Sequence, residues 1–101
     1  MIKHIVLLKL FDEAGGLPKS KNILKLKEKL ESLPGKIDVV LDFSVGLNVT
    51  ESEHAFDMAL ESTFVSADEL DDYRNHPDHD AILDFLELVV EKRVFVDYEY
   101  S

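Results

Sequence analysis

The chain has 101 residues, enough for one domain with a single hydrophobic core and too few for two. With 46% hydrophobic and 32% charged residues it has the composition of a folded globular protein. Its 21 acids against 11 bases give a formal net charge of −10, which repels nucleic acid, and the lack of cysteine excludes disulfides and thiolate chemistry.

Residues 2–11 form an apolar run that suits a strand buried on both faces, with His4, Val6, Leu8 and Leu10 on one and Ile5, Leu7 and Phe11 on the other. Lys9 interrupts the run and no small-residue cleavage site follows, so it does not read as a signal peptide. No stretch reaches the roughly 20 apolar residues of a membrane span. The expectation is a soluble cytoplasmic protein with neither membrane nor nucleic acid as partner. The segment DEAGGLPK then breaks the pattern with paired glycines and with Pro18 at a helix start.

From Pro18 to Leu33, Ile23, Leu26, Leu30 and Leu33 recur at helical spacing, and Pro34-Gly35 ends that helix. Alternation from Ile37 through Val39, Leu41, Phe43, Val45 and Leu47 to Val49 predicts a long strand with one apolar face. A short polar connection, Thr50 to Glu53, predicts a hairpin into a third strand carrying Phe56, Met58, Leu60 and Phe64. SADELDDY reads as a short helix with Ser66 as N-cap and Glu69 completing a capping box, and Ala67, Leu70 and Tyr73 share its inner face. A further helix starts near Pro77 and carries Ile82, Leu83, Leu86, Val89 and Val90. The tail from Lys92 to Tyr100 alternates again as a strand, with Val94, Val96, Tyr98 and Tyr100 against Arg93, Phe95 and Asp97.

The order β-α-β-β-α-β predicts an α+β, ferredoxin-like single domain over 1–101, an antiparallel four-stranded sheet with helices on one face. Helices cover one sheet face only, yet the first strand is apolar on both. Pairing of the open face with a second copy resolves this, so a homodimer through the sheet is expected.

The chemistry-bearing stretch is YRNHPDHD, residues 73–80. Pro77 in a first helical turn puts His76 at the N-cap and His79 on the inward face with Ile82, Leu83 and Leu86. Tyr73 points inward from the preceding helix, and His4 joins them if its face of the first strand lies under the helices. Three readings follow. His76 and His79 with an Asp or His54 have the residue types of a zinc site, but their spacing spans a helix boundary. Alternatively His76 is only a cap and His79 a hydrogen-bonded core histidine, with Asp78 and Asp80 favouring the helix N-terminus. In the third reading His79 is an acid–base group, kept neutral by the helix N-terminus, and Tyr73 a hydroxyl donor to a developing oxyanion. Elsewhere His54 beside Glu51 and Glu53 reads as solvated, Met58 and the phenylalanines as core, and the acids of 68–72 as a solvated face. Gly15-Gly16 lacks the spacing and lysine of a P-loop, and no G-x-S-x-G is present.

The opening MIKHIVLLKLF, the run ESTF…S-x-x-x-L-x-x-Y-x-x-HPxH over 61–79 and the closing VFVDY resemble the stress-responsive α/β-barrel (Dabb) domain family over nearly the whole chain. The resemblance implies a dimeric α/β barrel with a pocket between sheet and helices and no cofactor. It also implies a link to plant polyketide cyclases of the olivetolic acid type, which close a β-keto chain by acid–base catalysis. On that likeness His79 is the base, Tyr73 its orienting partner and His4 a further pocket residue. Leu26 and Met58 fall where those cyclases have a tyrosine and a histidine, so with Leu70 they would make a more apolar substrate pocket. Some relatives bind magnesium on backbone carbonyls, which here fall near Leu30, Leu33 and Lys36. Two functions follow: a cofactor-independent acid–base enzyme, cyclase- or lyase-like, on a small enolisable carbonyl compound, or a non-catalytic small-molecule-binding or stress-associated structural dimer. The haem-degrading and cofactor-free monooxygenases share the barrel, but no motif of theirs is present.

Overall fold

The computed structural model describes all residues from Met1 to Ser101. Strand β1 (Ile2–Leu10) leads into a two-strand hairpin, β2 (Glu13–Ala14) and β3 (Leu17–Pro18), followed by helix α1 (Lys19–Glu31), β4 (Asp42–Leu47), β5 (Met58–Phe64), α2 (Ala67–Arg74), α3 (Pro77–Val89) and β6 (Val90–Glu99). The main sheet has the order β4-β5-β1-β6, with every pair antiparallel. This is the ferredoxin-like arrangement, and the doubly apolar β1 lies inside the sheet between β5 and β6, where both its faces are useful.

The hairpin turns at Gly15 and Gly16, both at positive φ (59° and 80°), which a tight two-residue turn requires and glycine allows without strain. Asn22 of α1, almost fully buried, donates its side-chain N–H to the carbonyls of Ala14 (3.0 Å) and Leu17 (3.3 Å), so the hairpin is fastened to the helix. Leu26 and Leu30 of α1, with Leu33 just beyond its end, pack into the core above Val6, Leu8, Leu60 and Phe64. At the start of α3, His76 is the N-cap and accepts the Asp78 N–H on Nδ1 at 3.1 Å, with Pro77 in the first turn. Ser66 does cap α2, but its hydroxyl donates to the Glu69 carboxylate instead of accepting a backbone N–H.

Two expectations need correction. The second main strand begins at Asp42, not Ile37, and ends at Leu47, leaving Val49 fully exposed. Ile37 is buried, but from a turn: its N–H and that of Lys36 both bond to the Leu33 carbonyl at 2.9 Å, and the chain joins the sheet only where Leu41 N–H meets Thr63 O (2.9 Å). Of the alternating residues before the strand only Ile37 is buried, Val39 is half-buried and Leu41 exposed, and pairing with β5 begins at Asp42 opposite Thr63. The connection after β4 likewise runs from Asn48 to Asp57. An Asn48 side chain bonded to Thr50 (2.7 and 3.1 Å) shapes its start, and Asn48 N–H to Asp57 O (2.9 Å) closes it.

Candidate active site

Three elements converge over the β1–β6 side of the sheet. His4 projects from β1 toward the helices, Tyr73 comes from the last turn of α2, and His79 from the first turn of α3. Tyr73 is the hub: its ring lies 4.8 Å from that of His79 and 6.4 Å from that of His4, both edge-on, and 5.2 Å from Phe64. The three line a cavity of about 270 Å³ whose buried lining is Val6, Leu8, Leu30 and Leu60, with Leu83 and Leu86 contributed by α3. Arg74, Arg93 and Phe95 complete the lining, and Arg93 and Phe95 are solvent-exposed, so the cavity opens at edge strand β6.

Antiparallel register sets Ser62, His4 and Asp97 in one row across β5, β1 and β6. His4 Nδ1 is bonded to one carboxylate oxygen of Asp97, and Arg74 Nη2 to the other. An ionised carboxylate only accepts, so Nδ1 carries the hydrogen and Nε2 is left for a ligand. Burial opposes ionisation of Asp97, but the bonds from His4 and Arg74 outweigh it and hold the carboxyl below its ordinary value. Ser62 completes the residue types of a nucleophilic triad, yet its hydroxyl is sealed in the core without a partner and does not line the cavity. It has no route to a substrate.

Burial pushes His79 below the ordinary imidazole value; Asp80 opposes this, and His4, Arg93 and Arg74 add to it. His79 therefore holds a neutral ring at neutral pH. Its Nδ1 is buried with no hydrogen-bond partner. Burial also pushes the Tyr73 hydroxyl up to about 12, so it stays protonated and can donate.

Leu26, Met58 and Leu70, placed in the pocket on sequence grounds, lie instead in the packed core, all at most 3% exposed and none lining this cavity. Met58 borders a separate recess near Leu47, Asn48 and His54. His76 uses its Nδ1 as a helix cap, and no three His, Asp or Glu side chains converge as metal ligands would, which removes the zinc reading. In the turn after α1, where the family likeness puts backbone magnesium ligands near Leu30, Leu33 and Lys36, the Leu33 carbonyl accepts the Lys36 and Ile37 N–H groups and the Leu30 carbonyl accepts that of Leu33 at 3.1 Å. The sequence reading missed Asp97, Arg74 and Arg93 as site residues. The one signal was Asp97, an acid interrupting the apolar alternation of VFVDY.

Residues 2–100 match the family described as the Stress responsive A/B Barrel Domain (Dabb). An uncharacterised protein of Streptomyces coelicolor is 33% identical over 81 residues, covering 80% of this chain and 81% of that protein. A dimeric protein of unknown function and ferredoxin-like fold from Bacteroides fragilis is similar with a TM-score of 0.85 and 39% identity, over 98% of this chain and 95% of that one. The hydroxynitrile lyase of Passiflora edulis has the same fold (TM-score 0.82, 19% identity, 99% and 93% coverage).

Proposed function

Since the chain belongs to the stress-responsive A/B barrel (Dabb) domain family, we propose that it is a cofactor-independent acid–base enzyme acting on a small enolisable carbonyl compound, and that it works as a homodimer. The observation that carries the activity is a neutral His79 and a protonated Tyr73 in edge-on contact on one cavity, with His4 held by Asp97 beside them. His79 takes the proton from the carbon next to the carbonyl, through Nε2, since Nδ1 is sealed. The C–H electron pair moves into an enolate, whose oxygen accepts the Tyr73 hydroxyl proton as a hydrogen bond. His4, its Nδ1–H held by the Asp97 carboxylate, presents Nε2 to the same ligand as a positioning contact. Returning the proton, or letting the enolate attack or expel a group, gives the cyclase- or lyase-like outcomes. That a lyase is built on this fold in Passiflora edulis is compatible with this chemistry.

Pairing is supported by the sheet face away from the helices. Ile5, Leu7, Val94, Val96 and Tyr98 lie together there by register, and all but Ile5 are substantially exposed. An apolar patch on a charged protein calls for cover, and the Bacteroides fragilis relative is described as dimeric.

The test is proton–deuterium exchange next to the carbonyl of phenylacetone in D2O, followed by proton NMR. Exchange faster than buffer, falling by about a hundredfold or more in His79→Ala, is expected. Exchange equal to buffer for this and other enolisable ketones would leave the cavity as a binding site without catalysis.

A further inference from the structure

The chain has 21 acids and two arginines; none of the acids lines the cavity, and both arginines do. No lysine lines it either. The two guanidiniums differ in their state. Arg74 is engaged by Asp97, lies 3.8 Å from Asp71 and covers the Phe95 ring at 5.6 Å. Arg93 takes part in no ion pair. With Arg74 and Asp97 cancelling, Arg93 is the one uncompensated formal charge on the cavity, in a protein whose net charge is −10.

We propose that the cavity is selective for a carboxylate-bearing compound, and that Arg93 receives the carboxylate. A guanidinium presents two parallel N–H donors that match the two oxygens of a carboxylate, and one free guanidinium matches one such charge. The protein's overall negative field repels anions, so an anion enters only where a cation is placed for it.

The register fixes how such a ligand lies. Arg93, Phe95 and Asp97 occupy one face of β6, opposite Leu8, Val6 and His4 of β1. Four residues of strand separate Arg93 from the His4–Asp97 row, about 13 Å between backbones, part of which the arginine side chain covers. The ligand therefore carries its carboxylate several bonds away from the group that faces His4 and His79, with an apolar stretch resting on Phe95 and the leucines. A cavity of about 270 Å³ fits a small acid and no large conjugate. Joined to the proton-transfer reading, on which this part rests, the substrate class is an oxo-carboxylic acid with an apolar spacer.

The experiment is isothermal titration of the wild-type protein, Arg93→Gln and Arg93→Lys with 4-phenylbutanoate and its uncharged counterpart 4-phenylbutanamide. Neither probe carries a ketone, so the result stands apart from the proton-exchange test on phenylacetone. Expected is a preference for the carboxylate of about tenfold at low salt, weakened by added salt, erased in Arg93→Gln and partly kept in Arg93→Lys. Equal binding of acid and amide, or no binding of either, overturns the proposal. So does a preference that survives in Arg93→Gln, which would move the anion site elsewhere.

Discussion

His4 and Asp97 are 93 residues apart in the chain, yet they are direct neighbours across β1 and β6 and share a hydrogen bond from the imidazole Nδ1 to the carboxylate. The same carboxylate holds Arg74, so one acid ties the first strand, the last strand and the end of α2 together at the edge of the cavity. The imidazole is thereby fixed in one ring orientation and one tautomer, as a residue that must present a particular nitrogen to a ligand needs to be.

Asp97→Asn should remove this arrangement with little change in shape. The expected loss at neutral pH is about 1–2 kcal/mol, kept modest because the pair is partly exposed. The pH dependence is a sharper readout. The Asp97 carboxyl is held below its ordinary 3.8 in the folded protein, so its contribution is complete above that value and is lost as pH falls through the lower, folded one. Urea unfolding between neutral pH and the acid limit should show a stability difference between wild type and Asp97→Asn that shrinks in acid. A constant difference would show that the carboxylate's charge plays no part.

His79 should titrate below 6.5 in an NMR pH series, because burial disfavours its cation. The unfolded chain then binds a proton before the folded one does, so stability from this group is present above 6.5 and declines as pH falls toward the folded value. The acid limb of the exchange activity should follow the same lowered value. Tyr73→Phe keeps the ring and its burial, so the depression should persist while activity drops by about tenfold or more through loss of the hydroxyl donor. Return of His79 to an ordinary imidazole value in Tyr73→Phe would show that the hydroxyl, not burial, sets the shift.

Leu26 separates packing from pocket. Its side chain is fully buried between α1 and the sheet and does not line the cavity. Leu26→Ala should cost about 2–5 kcal/mol in chemical denaturation, with 4-phenylbutanoate affinity unchanged in the surviving folded protein. An affinity loss with little destabilisation would return Leu26 to the pocket.

Val96 is 51% exposed beside Ile5, Val94 and Tyr98 on the open sheet face. Sedimentation should find the wild type at twice the 11.5 kDa chain mass and Val96→Glu at the chain mass, since a buried, unpaired carboxylate opposes pairing. A monomeric wild type would rule out pairing through this face.

Whatever depends on neighbours in sequence was legible without coordinates. The doubly apolar run of residues 2–10 gave the strand inside the sheet, Pro77 after His76 gave the capped start of α3, and helical spacing aimed Tyr73 and His79 inward. Hydrophobic periodicity is set by local backbone geometry, so it can be read from one segment at a time. It failed at Ile37, where burial came from a turn; Leu26, Met58 and Leu70, which the family likeness put in the pocket, lie in the packed core where periodicity had them facing. Pairing and register were decided only by the tertiary structure. Parity along β6 put Arg93, Phe95 and Asp97 on a common face, but only its alignment with β1 set Asp97 against His4 and left Arg93 unpaired at the opening. A one-residue slip would have turned all three away, and nothing local to either strand records which register the whole core selects.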